Sequence, residues 1–285
     1  MRLHESDIKT REVLGWTGLH LFHHPASSCS QKVRIFLNLK GISYAPHLVD
    51  LLTNANITEY YLGINPRGLV PTLVHDGDVH IESNDILTYL EGVYPDPPLI
   101  PPEFAEEVAT LLRHEDDLHL DLRSITLRFV APSHPPKSAD ELERYATTGT
   151  GTVGGVPDAH REKEIGFWAR YAGGGISDEA VCRSVQAFRK AFDEIEQQLA
   201  NNPYLLGDAL SVLDIAWLIY VNRLRLAGYP VMRLHPRLGL WADTLSTHPA
   251  FEREIAIPPQ FAAYLEKQRE ALAAAGRTLV SVCSL

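Results

Sequence analysis

Four consecutive small polar residues, Ser27-Ser28-Cys29-Ser30, stand directly before a run whose apolar residues Val33, Phe36, Leu37 and Leu39 fall on helical spacing. The first amides of a helix have no partner inside it, and the positive end of the helix dipole favours an anion there. A thiolate is such an anion. A cysteine thiol in water ionises near ~8.5 and at much lower pH when placed at a helix start. A hydroxyl that donates to the sulfur favours the charged form further. Plain helix capping explains the serines equally well. Cys29, two residues into the helix, faces either the site or the core, where a lone cysteine behaves as a small hydrophobe.

Val70-Pro71 is a second candidate, because proline inside an otherwise good strand removes a ladder donor. With a cis bond before Pro71, Val70 turns its N–H and C=O outward to pair with an extended peptide; with a trans bond, Pro71 marks an edge or a bulge. Glu82-Ser83 is the third. Ser83 suits a helix start whose amides bind a carboxylate, and Glu82 suits an ammonium, although an ordinary capped helix has the same residues. In an open α/β sheet, strand C-termini and helix N-termini converge at one edge. That edge would offer a thiolate site, a strand for main-chain pairing and an α-amino-acid site. Glutathione has a thiol, a peptide backbone and a γ-glutamyl end.

The elements that must position these groups are legible in outline. Residues 1–17 form a polar extension without clear periodicity. A strand over 19–22, a turn, a helix over 28–40 stopped by Gly41 and a strand over 42–51 open the chain as β–α–β, which implies a parallel pair with a right-handed crossover. A short helix over 57–62 and a strand over 69–74 follow. His75-Asp76-Gly77-Asp78 makes a hairpin turn to 79–81, and a helix over 84–93 carries Ile86, Leu87 and Leu90 on one face. The order βαβαββα is followed by a proline-rich linker over 95–102.

Beyond the linker the pattern is helical. One long helix is expected over 103–129, mostly loop over 131–156, and helix again over 160–171. An amphipathic helix over 177–199 has Val181, Val185, Phe188, Phe192, Ile195 and Leu199 along one side, and further helices are expected at 212–226, 236–246 and 258–274. Ser211 and Asp214 are spaced as a capping box, with Leu210 and Ile215 as a hydrophobic staple.

The chain of 285 residues, with 45% hydrophobic and 22% charged residues, has an ordinary globular composition. Its net charge of -10 excludes a nucleic-acid backbone as partner. No run of about 18 apolar residues predicts a membrane span. Cys29, Cys182 and Cys283 are too few and too scattered for a disulfide framework, which fits a reducing compartment. His23, His24, His114 and His119 lack zinc-ligand spacing, so no metal is expected. Asp116, Asp117 and Arg123 suit a solvated helix face or a cleft wall.

Ser27-Ser28-Cys29-Ser30-Gln31-Lys32-Val33-Arg34-Ile35, ending in Leu39-Lys40-Gly41-Ile42, resembles the opening of zeta-class glutathione transferases. Asn65-Pro66-Arg67-Gly68-Leu69-Val70-Pro71-Thr72-Leu73, then Asp76-Gly77 and Glu82-Ser83, resembles the glutathione-binding half of the superfamily. Tyr204-Leu205-Leu206-Gly207-Asp208 and Ser211-Val212-Leu213-Asp214 extend the likeness more loosely into the helical half. Gln31-Lys32 departs from the zeta pattern of Trp or His followed by Arg. The long segment around 131–176 and the Ile-Asn-Pro-Arg-Gly run are similar to bacterial β-aryl etherases.

The resemblance implies a thioredoxin-like, glutathione-binding α/β domain over 18–94 and an all-α helical substrate domain over 103–285. It places Ser27 in the slot of the zeta catalytic serine, with Ser28 and Cys29 beside it. It assigns Val70 and Pro71 to main-chain pairing, Glu82 and Ser83 to the γ-glutamyl part, and Asn56 to the position of the glycine-carboxylate anchor. The expected activity is glutathione transfer to a small hydrophobic electrophile by a cytoplasmic homodimer, with glutathione as co-substrate. The alternatives are a maleylacetoacetate-type isomerase, a β-aryl etherase, and a non-catalytic glutathione-binding or scaffolding protein.

Overall fold

The computed structural model describes residues 1–285. In chain order the first elements are β1 (Leu19–His23), α1 (Ser28–Leu39), β2 (Ala45–Leu48), α2 (Glu59–Leu62), β3 (Thr72–His75), β4 (Asp78–His80) and α3 (Ser83–Val93). Then come α4 (Ala105–Asp117), α5 (His119–Phe129), α6 (Ala139–Thr147), the two-residue strands β5 (Thr152–Val153) and β6 (Val156–Pro157), and α7 (Ala159–Gly174). The chain closes with α8 (Asp178–Gln198), α9 (Val212–Leu226), α10 (Val231–Leu234), α11 (Pro236–Ser246), α12 (Pro249–Ile255), α13 (Pro259–Ala274) and α14 (Leu279–Cys283). Two compact units result: Met1–Tyr94 with His134–Gly175, and Pro95–Ser133 with Ile176–Leu285.

The first unit is built on a four-stranded sheet of order β2-β1-β3-β4. Strands β1 and β2 run parallel, joined by α1; β3 is antiparallel to both β1 and β4. This is the thioredoxin-like βαβ–ββα arrangement. Pro46 sits on β2, an edge strand, where its missing donor does no harm. The other edge is covered. Leu3 N–H donates to Val79 O at 2.9 Å and Ile81 N–H to Met1 O at 2.9 Å, so Met1–Leu3 cap the side of β4 that would otherwise expose unpaired backbone.

Residues 1–17 are therefore more than a polar extension. They form two 3-10 turns, and Leu3, Ile8 and Val13 are buried with Phe22, Tyr61, Ile64 and Val74 in the core of this unit. The apolar residues are too irregularly spaced to show a period, because the segment wraps the sheet instead of repeating along one axis. Asp7, also buried, accepts hydrogen bonds from Thr152 Oγ1 (2.7 Å), Gly154 N (2.8 Å), Gly155 N (3.0 Å) and its own neighbour His4 N (3.1 Å). It thereby ties the β5–β6 hairpin to the N-terminus.

The segment read as mostly loop, 131–156, contains α6 and the start of the hairpin, while α7 forms where a helix was expected over 160–171; all three group with the first unit instead of the 103–285 half. Ser138 and Glu141 form a capping box that starts α6. Tyr145, on α6, is fully buried against Ile57 and Leu62, with Ile165 of α7 packed on the same cluster. The local composition hides this because the helix depends on burying one tyrosine in a distant part of the chain.

The second unit is helical throughout. The single helix expected over 103–129 is two, α4 and α5, broken at Leu118. Helix α8 buries Val181, Val185, Phe188, Phe192 and Ile195 along one side, as its amphipathic pattern requires. The capping box at the start of α9 forms as spaced: Ser211 Oγ accepts from Leu213 N, and Asp214 accepts from Ser211 N–H at 2.9 Å, Leu205 N–H at 3.0 Å and Trp241 Nε1–H at 3.1 Å. One expectation is corrected here. Cys182 and Cys283 form a disulfide, because α14 packs against α8 and brings their Cα atoms to 5.1 Å. Cysteine usage thus no longer argues for a reducing compartment. No helix is long and apolar enough to cross a membrane.

Candidate functional site

The turn between β1 and α1 is shaped from beneath. Arg34, one face of α1 further on and buried, donates to His24 O (3.2 Å) and Pro25 O (3.0 Å), and Ser30 Oγ accepts from His24 N at 3.3 Å. Burial pushes the His24 imidazole below its ordinary value, with the Asp50 charge opposing, so it is neutral near pH 7. Above this turn Ser27 is the N-cap of α1. Its Oγ accepts from Ser30 N at 3.2 Å and lies 3.4 Å from Val70 O, to which it donates. Ser28 is buried as the first helical residue; Cys29 is half-buried and outside the disulfide.

The approach to β3 is held as firmly. The Val70–Pro71 bond is cis. Leu69 O accepts from Tyr61 OH (2.6 Å) and Asn65 Nδ2 (2.9 Å), and both donors also meet Thr72 Oγ1 at 2.9 Å. Burial pushes the Tyr61 phenol well above its ordinary value, so it stays a neutral donor. Gly68, at φ +61, lies so close to Asn56 O, Leu62 and Tyr145 that a Cβ there would meet Asn56 O at 2.9 Å. Asn56 is buried with its Nδ2 donating to Gly68 O at 2.7 Å. Its Nδ2 thus braces the loop before Val70.

At the start of α3, Glu82 has φ +65, a left-handed conformation that costs a non-glycine residue on the order of 1–3 kcal/mol. Ser83 is buried as the first residue of the helix. Arg67 joins this corner to the β3 approach: its Nη1 donates to Glu82 Oε1 at 2.7 Å. Its Nε and Nη2 donate to Asp158 Oδ2 (2.7 Å) and Oδ1 (3.0 Å), a two-pronged pair. Lys32, fully buried on α1, donates to Asn84 Oδ1 at 3.0 Å and ties α1 to α3.

Ser27, Ser28, Cys29, Val70, Pro71, Glu82 and Ser83 therefore sit on one edge of the first unit, linked through Ser27–Val70, Lys32–Asn84 and Arg67–Glu82. Arg67, Asp158 and Lys32 are the additions that sequence reasoning missed. A charged residue inside the buried Asn65-Pro66-Arg67-Gly68 turn was a readable signal for Arg67; Asp158 had none. His114 and His119 belong to the second unit, where His119 Nδ1 lies 3.2 Å from Tyr220 OH and the His114 ring meets Trp217 edge-on.

A family model described as glutathione S-transferase, N-terminal domain, matches residues 26–93, and one described as glutathione S-transferase, C-terminal domain, matches residues 162–244, together more than half of the chain. The chain belongs to the glutathione S-transferase family. A zeta-class glutathione S-transferase of Euphorbia esula is 48% identical over 83 residues, which are 29% of this chain and 37% of that one, so the match spans little more than a third of that relative. A probable maleylacetoacetate isomerase of Caenorhabditis elegans is 30% identical over 234 residues, 81% of this chain and 90% of the relative. Among solved structures, the β-etherase LigF of Sphingobium sp. strain SYK-6 superposes with a TM-score of 0.70 at 24% identity, over 84% of this chain and 98% of that one. The family binds glutathione. Residues 94–161, which include Asp158, lie between the two matched segments.

Proposed function

We propose that this chain binds glutathione along the α1–β3–α3 edge of its first unit and directs the thiolate at a hydrophobic electrophile. The observation that carries the reading is the convergence of Ser27 Oγ and Val70 O at a helix start. The cysteinyl N–H of the tripeptide pairs with Val70 O. The Ser27 hydroxyl, released from that carbonyl, donates to the sulfur while it still accepts from Ser30 N–H. The α1 amides and dipole favour the negative sulfur, and Glu82 and Ser83 hold the γ-glutamyl end.

The contribution to rate is a lowered thiol pKa and proximity. The sulfur donates an electron pair to the electrophilic carbon, the leaving group departs with its own pair, and the thiol proton goes to solvent. Turnover of wild type and Ser27→Ala with a general aromatic electrophile tests this; equal rates would remove Ser27 from the mechanism.

A second reading is glutathione-dependent isomerisation of a maleyl-type diacid, supported by the relative that matches over nine-tenths of its length. Isomerisation regenerates glutathione, whereas conjugation and aryl-ether cleavage consume it. Assaying purified protein with one substrate of each class while following total thiol separates these, and activity on none of them would favour a non-catalytic binding role. Family membership also supports a cytoplasmic homodimer, which light scattering and cell fractionation test.

A further inference from the structure

We propose that Asp158 is a positioning residue for glutathione recognition: acting through Arg67, it supplies the surplus negative charge with which Glu82 attracts the α-ammonium of the γ-glutamyl group. The inference rests on the reading of Glu82 and Ser83 as the γ-glutamyl subsite.

Glu82 is not a bare carboxylate, because Arg67 Nη1 donates to its Oε1 at 2.7 Å. One guanidinium and one carboxylate sum to zero, and such a pair has little pull on a cation. Asp158 changes the balance by engaging the guanidinium with both carboxylate oxygens, at 2.7 and 3.0 Å. One cation and two anions leave a single negative charge, the complement of one ammonium. The Arg67 and Asp158 side chains are only 11% and 9% exposed, which limits solvent screening, while Glu82, at 24%, keeps an open side for a ligand.

Two further groups feel the Glu82 charge, and each has a nearer carboxylate of its own: His160 Nε2 lies 3.7 Å from Glu164, and the Met1 ammonium lies 3.3 Å from Asp85. Arg67 is fixed at its backbone too, where Asn65 Oδ1 accepts its N–H at 3.0 Å and Tyr145 OH donates to its carbonyl. Burial alone would weaken the guanidinium charge, but the hydrogen bonds and charges of Asp158 and Glu82 outweigh it and hold Arg67 protonated. The segment 134–175 thus reaches the subsite through Tyr145 and Asp158.

Calorimetry on the full chain tests this with two ligands, glutathione and glutaryl-cysteinyl-glycine, which lacks only the α-amino group. Wild type is expected to prefer glutathione by about tenfold, equivalent to ~1.4 kcal/mol. Asp158→Asn keeps the shape and the α7 cap but removes the charge. It should reduce that preference to roughly threefold or less while affinity for the glutaryl analogue stays within about twofold, as the loss of one ion pair requires. An unchanged preference, or an equal loss for both ligands, would overturn the proposal. Asp158→Ser, which retains a capping oxygen, serves as the second neutral variant if the first does not fold, and Asp158→Glu should restore part of the preference. If wild type binds both ligands equally, Glu82 does not hold the ammonium and this inference fails while glutathione binding stands; if it binds neither, glutathione binding itself is overturned.

Discussion

The side-chain oxygen of Ser27 stands 3.4 Å from the carbonyl oxygen of Val70, 43 residues further along the chain. The distance is longer than the range of about 2.5–3.0 Å usual for a hydroxyl donor to oxygen. A weak bond of this kind is easily surrendered to an incoming N–H, and its hydroxyl then has one proton to offer elsewhere. This relationship turns a helix cap into a candidate for thiolate stabilisation.

Ser27→Ala should therefore lower turnover by about tenfold or more, with glutathione affinity within roughly threefold of wild type, since charge stabilisation and not ligand capture is removed. Losing the N-cap costs about 1 kcal/mol, so the variant remains folded. Steady-state kinetics, calorimetry and a thermal melt on the same preparation check all three outcomes.

Gly68→Ala should destabilise the first unit by about 2 kcal/mol or more, because a side chain at a left-handed φ is strained and here also meets Asn56 O, Leu62 and Tyr145. Urea denaturation measures this. A stability equal to wild type would mean that the loop before Val70 can move out of the way.

Asp7 predicts an acid-sensitive clasp. Its burial favours the neutral form, but the hydrogen bonds from Thr152, Gly155, Gly154 and His4 outweigh burial and hold the carboxyl below its ordinary value. A depressed carboxyl contributes stability above its unfolded value of about 3.9, and that contribution is lost as pH falls through the folded value. Protection of the Gly154 and Gly155 amides from hydrogen exchange should be lost as pH falls through the folded value of Asp7, before global unfolding. In Asp7→Asn the same amides should exchange rapidly at neutral pH.

Removing residues 1–17 should strip Leu3, Ile8 and Val13 from the core and bare the outer side of β4. The expected outcome is aggregation, with exposed apolar surface detected by dye binding and an enlarged species in light scattering. A monodisperse, cooperatively melting truncated chain would show that the segment is dispensable.

How much of this the sequence reveals depends on how local the cause is. Ser27, Ser177 and Ser211 each cap the helix they precede, and the apolar face of α8 has regular spacing, so α1, α8 and α9 can be read directly. The residues of the proposed glutathione edge are legible because each sits at an element boundary with its own signature. Asp158 is not, since its meaning comes from Arg67, 91 residues away. Cys182 and Cys283 pair across 101 residues for the same kind of reason: only the packing of α14 on α8 brings them together. The break at Leu118 and the buried role of residues 1–17 likewise belong to tertiary packing, on which composition is silent.

The central claim is that the start of α1, with Ser27, stabilises the glutathione thiolate. Titrating the ultraviolet thiolate absorbance of glutathione bound to the protein across pH measures this directly. The account predicts ionisation well below the ~8.5 of a thiol in water, moving back toward that value in Ser27→Ala. A bound thiol that ionises like glutathione in solution, in both proteins, would contradict it.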